Sequence, residues 1–450
     1  FVLGIILARL LTPGDYGLIG MLTVFIVLSN TFIESGMGKG LIQKLNRTSK
    51  DYSTVFVFNF LISSLFYLIL FFIAPFIATF YEEPILGTLT KVVGLNIIIN
   101  SLAIVQRNRL IIVMDFKTLA KINFTSALVS SCFAIYLAYS DFGVWTLVYR
   151  QLLGSVITVT LLWCLSHWKP SFYFSKTSFN ELFGFGSKLL AAALYAKFFQ
   201  NIYNIIIGKF YETNQLGFYT QSKQLAEMTS GTISGILEQI TFPLLSNLQE
   251  DKIKMISIFR RLIKMTAFII FPAMTLFSIL SGPLVSLVLG EKWLSVIPLL
   301  QLMCFVYIFQ PISSLNLNLL NANGRSDLFL KVDLLKMPLI VVVLIITLPI
   351  SVKAIVIGQI VIAFLSFFFN TYYSGKLFGH GSFSQLKDFS RIILATAFMA
   401  LFVIMGLWHV ESLSLKILIG VSLGIVSYFV FCKIFKVEEL KELRLMYLKI

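Results

Sequence analysis

The sequence predicts an all-α membrane protein of about fourteen transmembrane helices, two six-helix lobes around a central cavity plus two C-terminal helices. Three observations carry that reading. Apolar residues fill 58% of the 450 positions and charged residues 13%, against roughly 45–50% and about 25% in soluble domains. Long stretches, 52–81, 265–290, 293–324 and 354–375, contain no Asp, Glu, Lys or Arg, and each reaches the roughly 20 residues that a helix needs to cross about 30 Å of hydrocarbon. The basic residues, finally, crowd into every second loop. With a mean hydropathy of +0.89, most side chains have lipid or other helices as their solvent.

Backbone amides in lipid must be paired within their own segment, so the apolar runs read as helices rather than open strands. A partial helix ends near Leu11, and spans follow at 17–37, 53–80, 86–106, 119–140 and 143–166. A second group covers 184–208, 216–247, 263–289, 295–322, 328–350, 353–375, 390–409 and 414–434. Phe1–Leu11 has no charged n-region and is half a span long, so it reads as the second half of a first helix and not as a signal peptide.

The loops test this scheme, because short cytoplasmic loops carry an excess of Lys and Arg. Alternate loops, 38–52, 107–121, 167–188, 250–264, 323–336, 376–391 and the tail after Cys432, hold 27 of the 36 basic residues. The opposite set holds Arg9, Lys91, Lys209, Lys292, Lys353 and Lys416, mixed with acids such as Asp15, Glu82, Glu83 and Asp141. That bias predicts an even helix count and a cytoplasmic C-terminus. The net charge of +15 is then an orientation signal. No basic domain stands outside the membrane, which argues against a nucleic-acid partner.

An internal repeat divides the chain. The segment from Ile6 to Leu18, with Arg9 and Gly17, reads against Ile206 to Phe218, with Lys209 and Gly217, two hundred positions later. A second echo sets Gly143–Gln151 against Ser351–Gln359. The domains expected are an N-terminal six-helix lobe (1–166), a C-terminal six-helix lobe (167–376), and 377–450 with two additional helices and a basic cytoplasmic tail. Repeats related about the membrane normal are a transporter architecture, with the substrate site between halves.

A charge within a span costs about 2.5–3.5 kcal/mol on insertion scales, so it faces a cavity or a partner. Arg9 lies one turn before an outer loop, where it either snorkels to the interface or meets substrate. Glu34 either snorkels, pairs with Lys39 or serves function. Lys197, Asn201, Asn204 and Gly208 share one helical face, as do Lys223, Glu227, Ser234 and Glu238. Two adjacent stripes suit a water-filled cavity better than an i,i+4 pair of Lys223 and Glu227 that only solvates a helix end. Arg150 lies a third of the way into the sixth span. Amides at Asn96, Asn100 and Gln106, and at Gln310, Asn316, Asn318 and Asn321, suit either interhelical hydrogen bonds, worth about 0.6 kcal/mol each, or sugar hydroxyls. Arg9, Arg150, Lys197, Lys209 and Lys223 together make the cavity cationic, which matches an anionic ligand such as a pyrophosphate.

Other chemistry is missing from the sequence. There is no G-x-x-x-x-G-K-[ST] motif, so the chain is not by itself an ATP-driven pump. No H-E-x-x-H, G-x-S-x-G or paired acids sit in a large loop, which leans against a membrane-embedded polymerase or ligase. A drug/cation antiporter would call for an acid-dominated cavity. Cys132, Cys164, Cys304 and Cys432 are scattered singly and His167, His380 and His409 lie far apart, so neither a disulfide framework nor a metal site is expected.

Several motifs carry a resemblance. Ala8-Arg-Leu-Leu-Thr-Pro-Gly-Asp-Tyr-Gly-Leu18 and Glu34-Ser-Gly-Met-Gly-Lys-Gly-Leu-Ile-Gln43 open the series. Met114-Asp-Phe-Lys117, Gly143-Val-Trp-Thr-Leu147 and Phe183-Gly-Phe-Gly-Ser-Lys188 follow, then Ile207-Gly-Lys209, Leu216-Gly-Phe-Tyr219, Phe242-Pro-Leu-Leu-Ser246 and Gly290-Glu-Lys-Trp293. As a set they resemble Wzx-type polysaccharide exporters, in the lipopolysaccharide, colanic-acid and teichuronic-acid branch of the multidrug/oligosaccharidyl-lipid/polysaccharide exporter superfamily. The resemblance implies two six-helix lobes whose first, second, seventh and eighth helices line a cavity. It implies a flippase, not an enzyme, that carries an undecaprenyl-diphosphate-linked oligosaccharide from the inner to the outer leaflet of the bacterial cytoplasmic membrane, by alternating access and without ATP. A polysaccharide polymerase and a chain-length regulator are the protein partners that such a role suggests. On this reading Arg9, Arg150, Lys197 and Lys223 contact diphosphate or acidic sugar, and Gln200, Asn201 and Asn204 meet sugar hydroxyls. Glu34, Glu227 and Glu238 balance charge or couple to an ion, proton or sodium. No cofactor is expected.

Overall fold

A computed structural model describes residues 2–33, 37–44, 46–166, 168–171, 173–246, 251–323 and 325–440, and these are helical almost throughout, with no strand among them. In chain order the helices are α1 (Val2–Leu10), α2 (Pro13–Ile33), α3 (Lys39–Gln43), α4 (Ser49–Tyr81), α5 (Ile85–Ser101), α6 (Ile104–Ile112), α7 (Phe116–Tyr139), α8 (Val144–Leu165) and α9 (Lys176–Phe210). Then come α10 (Thr213–Ser246), α11 (Lys252–Val288), α12 (Val296–Tyr307), α13 (Gln310–Ala322), α14 (Ser326–Thr347), α15 (Val352–Phe378), α16 (Ser382–Leu407) and α17 (Leu413–Ile434).

Among the described residues the stretches expected to span are mostly helical, so the all-α class holds, while the count of fourteen spans is not reached. Among the described residues nine segments are long and apolar enough to cross a membrane, ten if α5 and α6, bent by 42°, form one span. Helices α9, α10 and α14 are long but lie outside that set. The first two carry the polar stripes, and Lys331, Asp333 and Lys336 sit in the first half of α14. At the bend after α5 the helical ladder is interrupted, and the Trp163 indole N–H donates to the Leu102 carbonyl at 2.9 Å. Helices α12 and α13 part where Pro311, which has no N–H to give, opens the second of them.

Lipid exposure is written on α4. Leu61, Leu65, Leu68, Ile69, Phe72, Ile73, Phe76 and Phe80 form one outward stripe, with Phe72 69% and Phe76 73% exposed. In water this would be an aggregation surface; in hydrocarbon such residues insert favourably.

The chain divides into two compact units, Phe1–Thr220 and Gln221–Ile450. In the first, α4 and α5 form a hairpin that turns through Glu82 at φ 60°. Helices α7 and α8 form a second hairpin, α2 packs on α9, α5 and α8, and α1 packs on α7. Small residues bring α7 and α8 close, and the Ser126 hydroxyl donates to the Gly154 carbonyl at 2.6 Å. At one end Lys44 bridges Asp51 at 3.0 Å and Glu181 at 2.8 Å. There the Ser53 and Ser171 hydroxyls share a 2.7 Å bond, the Ser175 N–H donates to Thr54 Oγ1 at 3.0 Å, and Arg109 donates to Ser166 Oγ at 3.3 Å.

In the second unit α11 is the hub, packed against α12, α13, α16 and α17. The Phe271 ring lies 5.9 Å from Phe309 and 5.6 Å from Phe389, and Phe309 lies 5.4 Å from Phe367. Gly420 and Gly424 of α17 face Leu280 and Leu276 of α11. The C-terminal pair without a counterpart in the repeat is therefore part of this unit's core. One end again collects the basic loops: Arg260 binds Asp388, Lys264 binds Glu438 and Glu439, and Asn323 donates to Met255 Sδ at 3.5 Å. Within each unit, loops grouped on charge alone share an end.

Candidate functional site

The first unit contains a crossing of α2 with the start of α10, at the positions the sequence repeat pairs. Pro13 begins α2 and Thr213 begins α10, two hundred positions apart. A Cβ on Gly17 would stand 1.9 Å from the Thr213 carbonyl oxygen, and one on Gly217 would stand 1.9 Å from the Pro13 carbonyl oxygen. Gly14 faces the Asn214 side-chain oxygen at 3.0 Å, and Gly20 faces Thr220 Cγ2 at 2.9 Å. Gly14 and Gly20 thus meet the residues two hundred positions on from themselves, and the Gly17–Thr213 and Gly217–Pro13 contacts mirror one another. Only glycine allows the two backbones this close.

Acidic groups surround the crossing. Asp15 accepts from the Thr12 N–H at 2.8 Å and its hydroxyl at 2.7 Å, which folds the turn into α2. In the α4–α5 turn, Glu83 accepts from the Thr213 hydroxyl and Glu82 accepts from Lys209 Nζ at 2.7 Å. Lys209 also lies over the Phe80 ring at 5.4 Å. The Lys209 bond holds the Glu82 carboxyl below the usual carboxylate range. Lys209 is therefore engaged in a salt bridge, whereas the sequence reading counted it among the cations that make the cavity positive. The positive end of a helix is where carboxylates are favoured.

The expected site residues divide between the units. In the first, Arg9 is exposed in the last turn of α1. Arg150 Nε donates to Ser131 Oγ at 3.2 Å, inside the α7–α8 hairpin. On α9, Lys197 and Gln200 are exposed and joined at 3.2 Å. Asn201 turns inward and donates to the Lys197 carbonyl at 2.9 Å. Asn204 is buried too, and its side-chain oxygen has no partner among the described residues. The α9 stripe is thus two-faced: a charged, exposed end followed by buried amides. In the second unit Glu227 is exposed on α10, 3.5 Å from the Tyr307 hydroxyl, and the Tyr307 carbonyl accepts from Ser230 at 2.9 Å. Lys223 is half-buried one turn earlier, and Ser234 donates to the Ser230 carbonyl at 3.1 Å. Glu34 and the Glu238 side chain lie outside the described residues.

The amides read from sequence behave unequally. Asn316 pairs with Gln385, an interhelical bond, whereas Asn96 and Gln106 are fully buried with no partner among the described residues. Sequence reasoning missed the Lys209–Glu82 bridge and a cluster around Asp388, because their members lie far apart along the chain. The only available signal was an acid and a base in loops assigned to the same side. Among the described residues no group of His, Cys, Asp and Glu is arranged to hold a metal.

The family described as "Polysaccharide biosynthesis protein" matches residues 6–298. The teichuronic acid biosynthesis protein TuaB of Bacillus subtilis (strain 168) is 26% identical over 304 residues, covering 67% of this chain and 63% of the relative. The chain thus spans less than two thirds of that relative's length. The lipopolysaccharide biosynthesis protein WzxC of Escherichia coli (strain K12) is 24% identical over 342 residues, covering 74% of this chain and 68% of WzxC. Among solved structures, the lipid II flippase MurJ in an inward closed conformation superposes with a TM-score of 0.80 at 16% identity, over 96% of both chains. An inward-facing multidrug resistance transporter of the MATE family gives 0.64 at 16% identity, over 84% of this chain and 94% of that one. These likenesses show the fold. The chain belongs to the polysaccharide biosynthesis protein family.

Proposed function

We propose that this member of the polysaccharide biosynthesis protein family is a flippase. It moves an undecaprenyl-diphosphate-linked oligosaccharide from the inner to the outer leaflet of the bacterial cytoplasmic membrane, by alternating access and without ATP. The observation that carries the reading is the reciprocal crossing of α2 and α10. Two repeated helices that touch through glycines and backbone carbonyls have few side chains to disentangle, so they can part and close again. The polar helices support it, since α9 and α10 are too polar to face lipid along their whole length and need a polar neighbour. A diphosphate could not enter hydrocarbon without cations to replace its water.

In this reading Arg9, Arg150, Lys197 and Lys223 meet the diphosphate, and Gln200, Asn201 and Asn204 meet sugar hydroxyls. Glu34, Glu227 and Glu238 balance charge or couple to proton or sodium. The lobes are 1–166 and 167–376, the fourteen spans leave the C-terminus in the cytoplasm, and a polymerase with a chain-length regulator takes the product. The test is Lys197→Ala combined with Lys223→Ala. Surface polymer is expected to vanish while the protein stays in the membrane and lipid-linked oligosaccharide accumulates on the inner leaflet. Normal polymer in that double variant would sink the site assignment, and normal polymer after deletion of the whole gene would sink the function.

A further inference from the structure

At one end of the second unit, the turn between α15 and α16 passes through Gly379, at φ 71°, and Gly381, whose Cβ would stand 3.0 Å from the Gly375 Cα. Between them His380 is only 6% exposed. Its carbonyl accepts from Gln385 Nε2 at 3.1 Å, and Gln385 is tied to Asn316 of α13 by reciprocal amide bonds of 2.9 and 3.2 Å. The Phe259 ring of α11 stands edge-on at 6.2 Å. The backbone that carries the imidazole is therefore held in place, while the buried Nε2 has no hydrogen-bond partner among the described residues.

His380 Nε2 stands 3.5 Å from Asp388 Oδ2 on α16, long for a hydrogen bond. Asp388 is already gripped by the fork of Arg260 on α11, with Nε 2.7 Å from Oδ2 and Nη2 on Oδ1. Lys264, one turn further along α11, is held by Glu438 at 2.7 Å and Glu439 at 2.9 Å. The charged groups facing the imidazole are thus Asp388 from α16 and Arg260 and Lys264 from α11, and α13 presents the neutral Asn316.

We propose that this cluster is a proton-responsive clasp between α11 and α16, in which protonation of His380 draws Asp388 away from Arg260. The added proton gives Nε2 a charge-assisted bond to Oδ2, shorter and stronger than the neutral contact. The same oxygen then serves two cations, and the bidentate Arg260 grip weakens. Burial pushes the imidazole pKa down, Asp388 raises it only in part, and Arg260 and Lys264 lower it further. A folded-state value below the unfolded one means that the clasp is whole above about pH 6.5 and is lost as the pH falls. None of these groups belongs to the proposed transport site, so the inference stands apart from that reading.

The test uses the full chain in nanodiscs, with the same pH on both faces. The chain has three histidines, so ring-labelled histidine gives three resonances, and His380→Gln assigns one of them. The His380 signal is expected to titrate below about pH 6.5. Backbone hydrogen–deuterium exchange at 256–264 and 382–390 is expected to rise several-fold through the same transition. His380→Gln should lack that rise, and Asp388→Asn should lack it even while His380 titrates. A rise that persists in either variant overturns the proposal, and so does a wild-type His380 that titrates with no change in exchange.

Discussion

Gly17 and Gly217 show how two competing effects are ranked at single residues. Replacing a helical glycine by alanine ordinarily gains about 1 kcal/mol, because alanine surrenders less backbone entropy. At these two positions the new methyl would lie 1.9 Å from a backbone carbonyl oxygen, and a carbonyl cannot step aside as a side-chain end can. Overpacking of this kind costs about 1–3 kcal/mol, so the sign reverses. Gly17→Ala and Gly217→Ala are each expected to lower thermal stability in detergent. Gly231→Ala in the same helix α10, with nothing within 4 Å of the new Cβ, should be neutral or stabilising. Equal effects at all three positions would refute the crossing. The same two glycines stood out in the sequence only as a repeat signature at a turn. Their contact was not legible there, because sequence spacing cannot say that the first turn of α2 touches the first turn of α10.

At the scale of the element, α9 and α10 carry the functional reading. Helical periodicity put Lys197, Asn201, Asn204 and Gly208 on one face, and the structure divides that face by burial. Gly208 packs against Met21, Leu216 and Tyr81, Asn201 and Asn204 turn inward, and Lys197 stays exposed. A buried amide oxygen left without a partner costs about 1–3 kcal/mol, and the Asn204 oxygen has none among the described residues. Asn204→Leu is therefore expected to leave the protein at least as stable while lowering polymer export, read by thermal unfolding beside surface polymer. Lower stability with unchanged export would mean that Asn204 serves packing only. The bend after α5 was equally invisible in sequence: 85–112 holds no proline to mark it, and the Trp163 donor to the Leu102 carbonyl comes from another hairpin.

At the scale of the whole molecule, the charge alternation makes a topological prediction. The basic loops are tied together at one end of each unit, through Lys44, Asp51 and Glu181 in the first and Arg260, Asp388 and Lys264 in the second. Single cysteines at Lys50 and Lys387 should react with an impermeant thiol reagent from the cytoplasmic face. Cysteines at Glu83 and Lys353 should react from the outside, in a background with the four native cysteines replaced. Lys50→Cys and Lys387→Cys reacting from opposite faces would overturn the orientation.

Composition and periodicity determined the class of solvent, the helical state and the grouping of loops within each unit. Those properties follow from transfer energies and backbone pairing, which each segment carries locally. Tertiary structure alone decided which helices touch: the glycine crossing of α2 with α10, the place of α16 and α17 in the core around α11, and the joining of His380, Asp388 and Arg260. The physical reason is that such contacts are set by shape and charge between segments far apart in sequence. A local pattern can say that a glycine, an aspartate or an arginine is unusual where it stands, but its partner is fixed only when the helices pack.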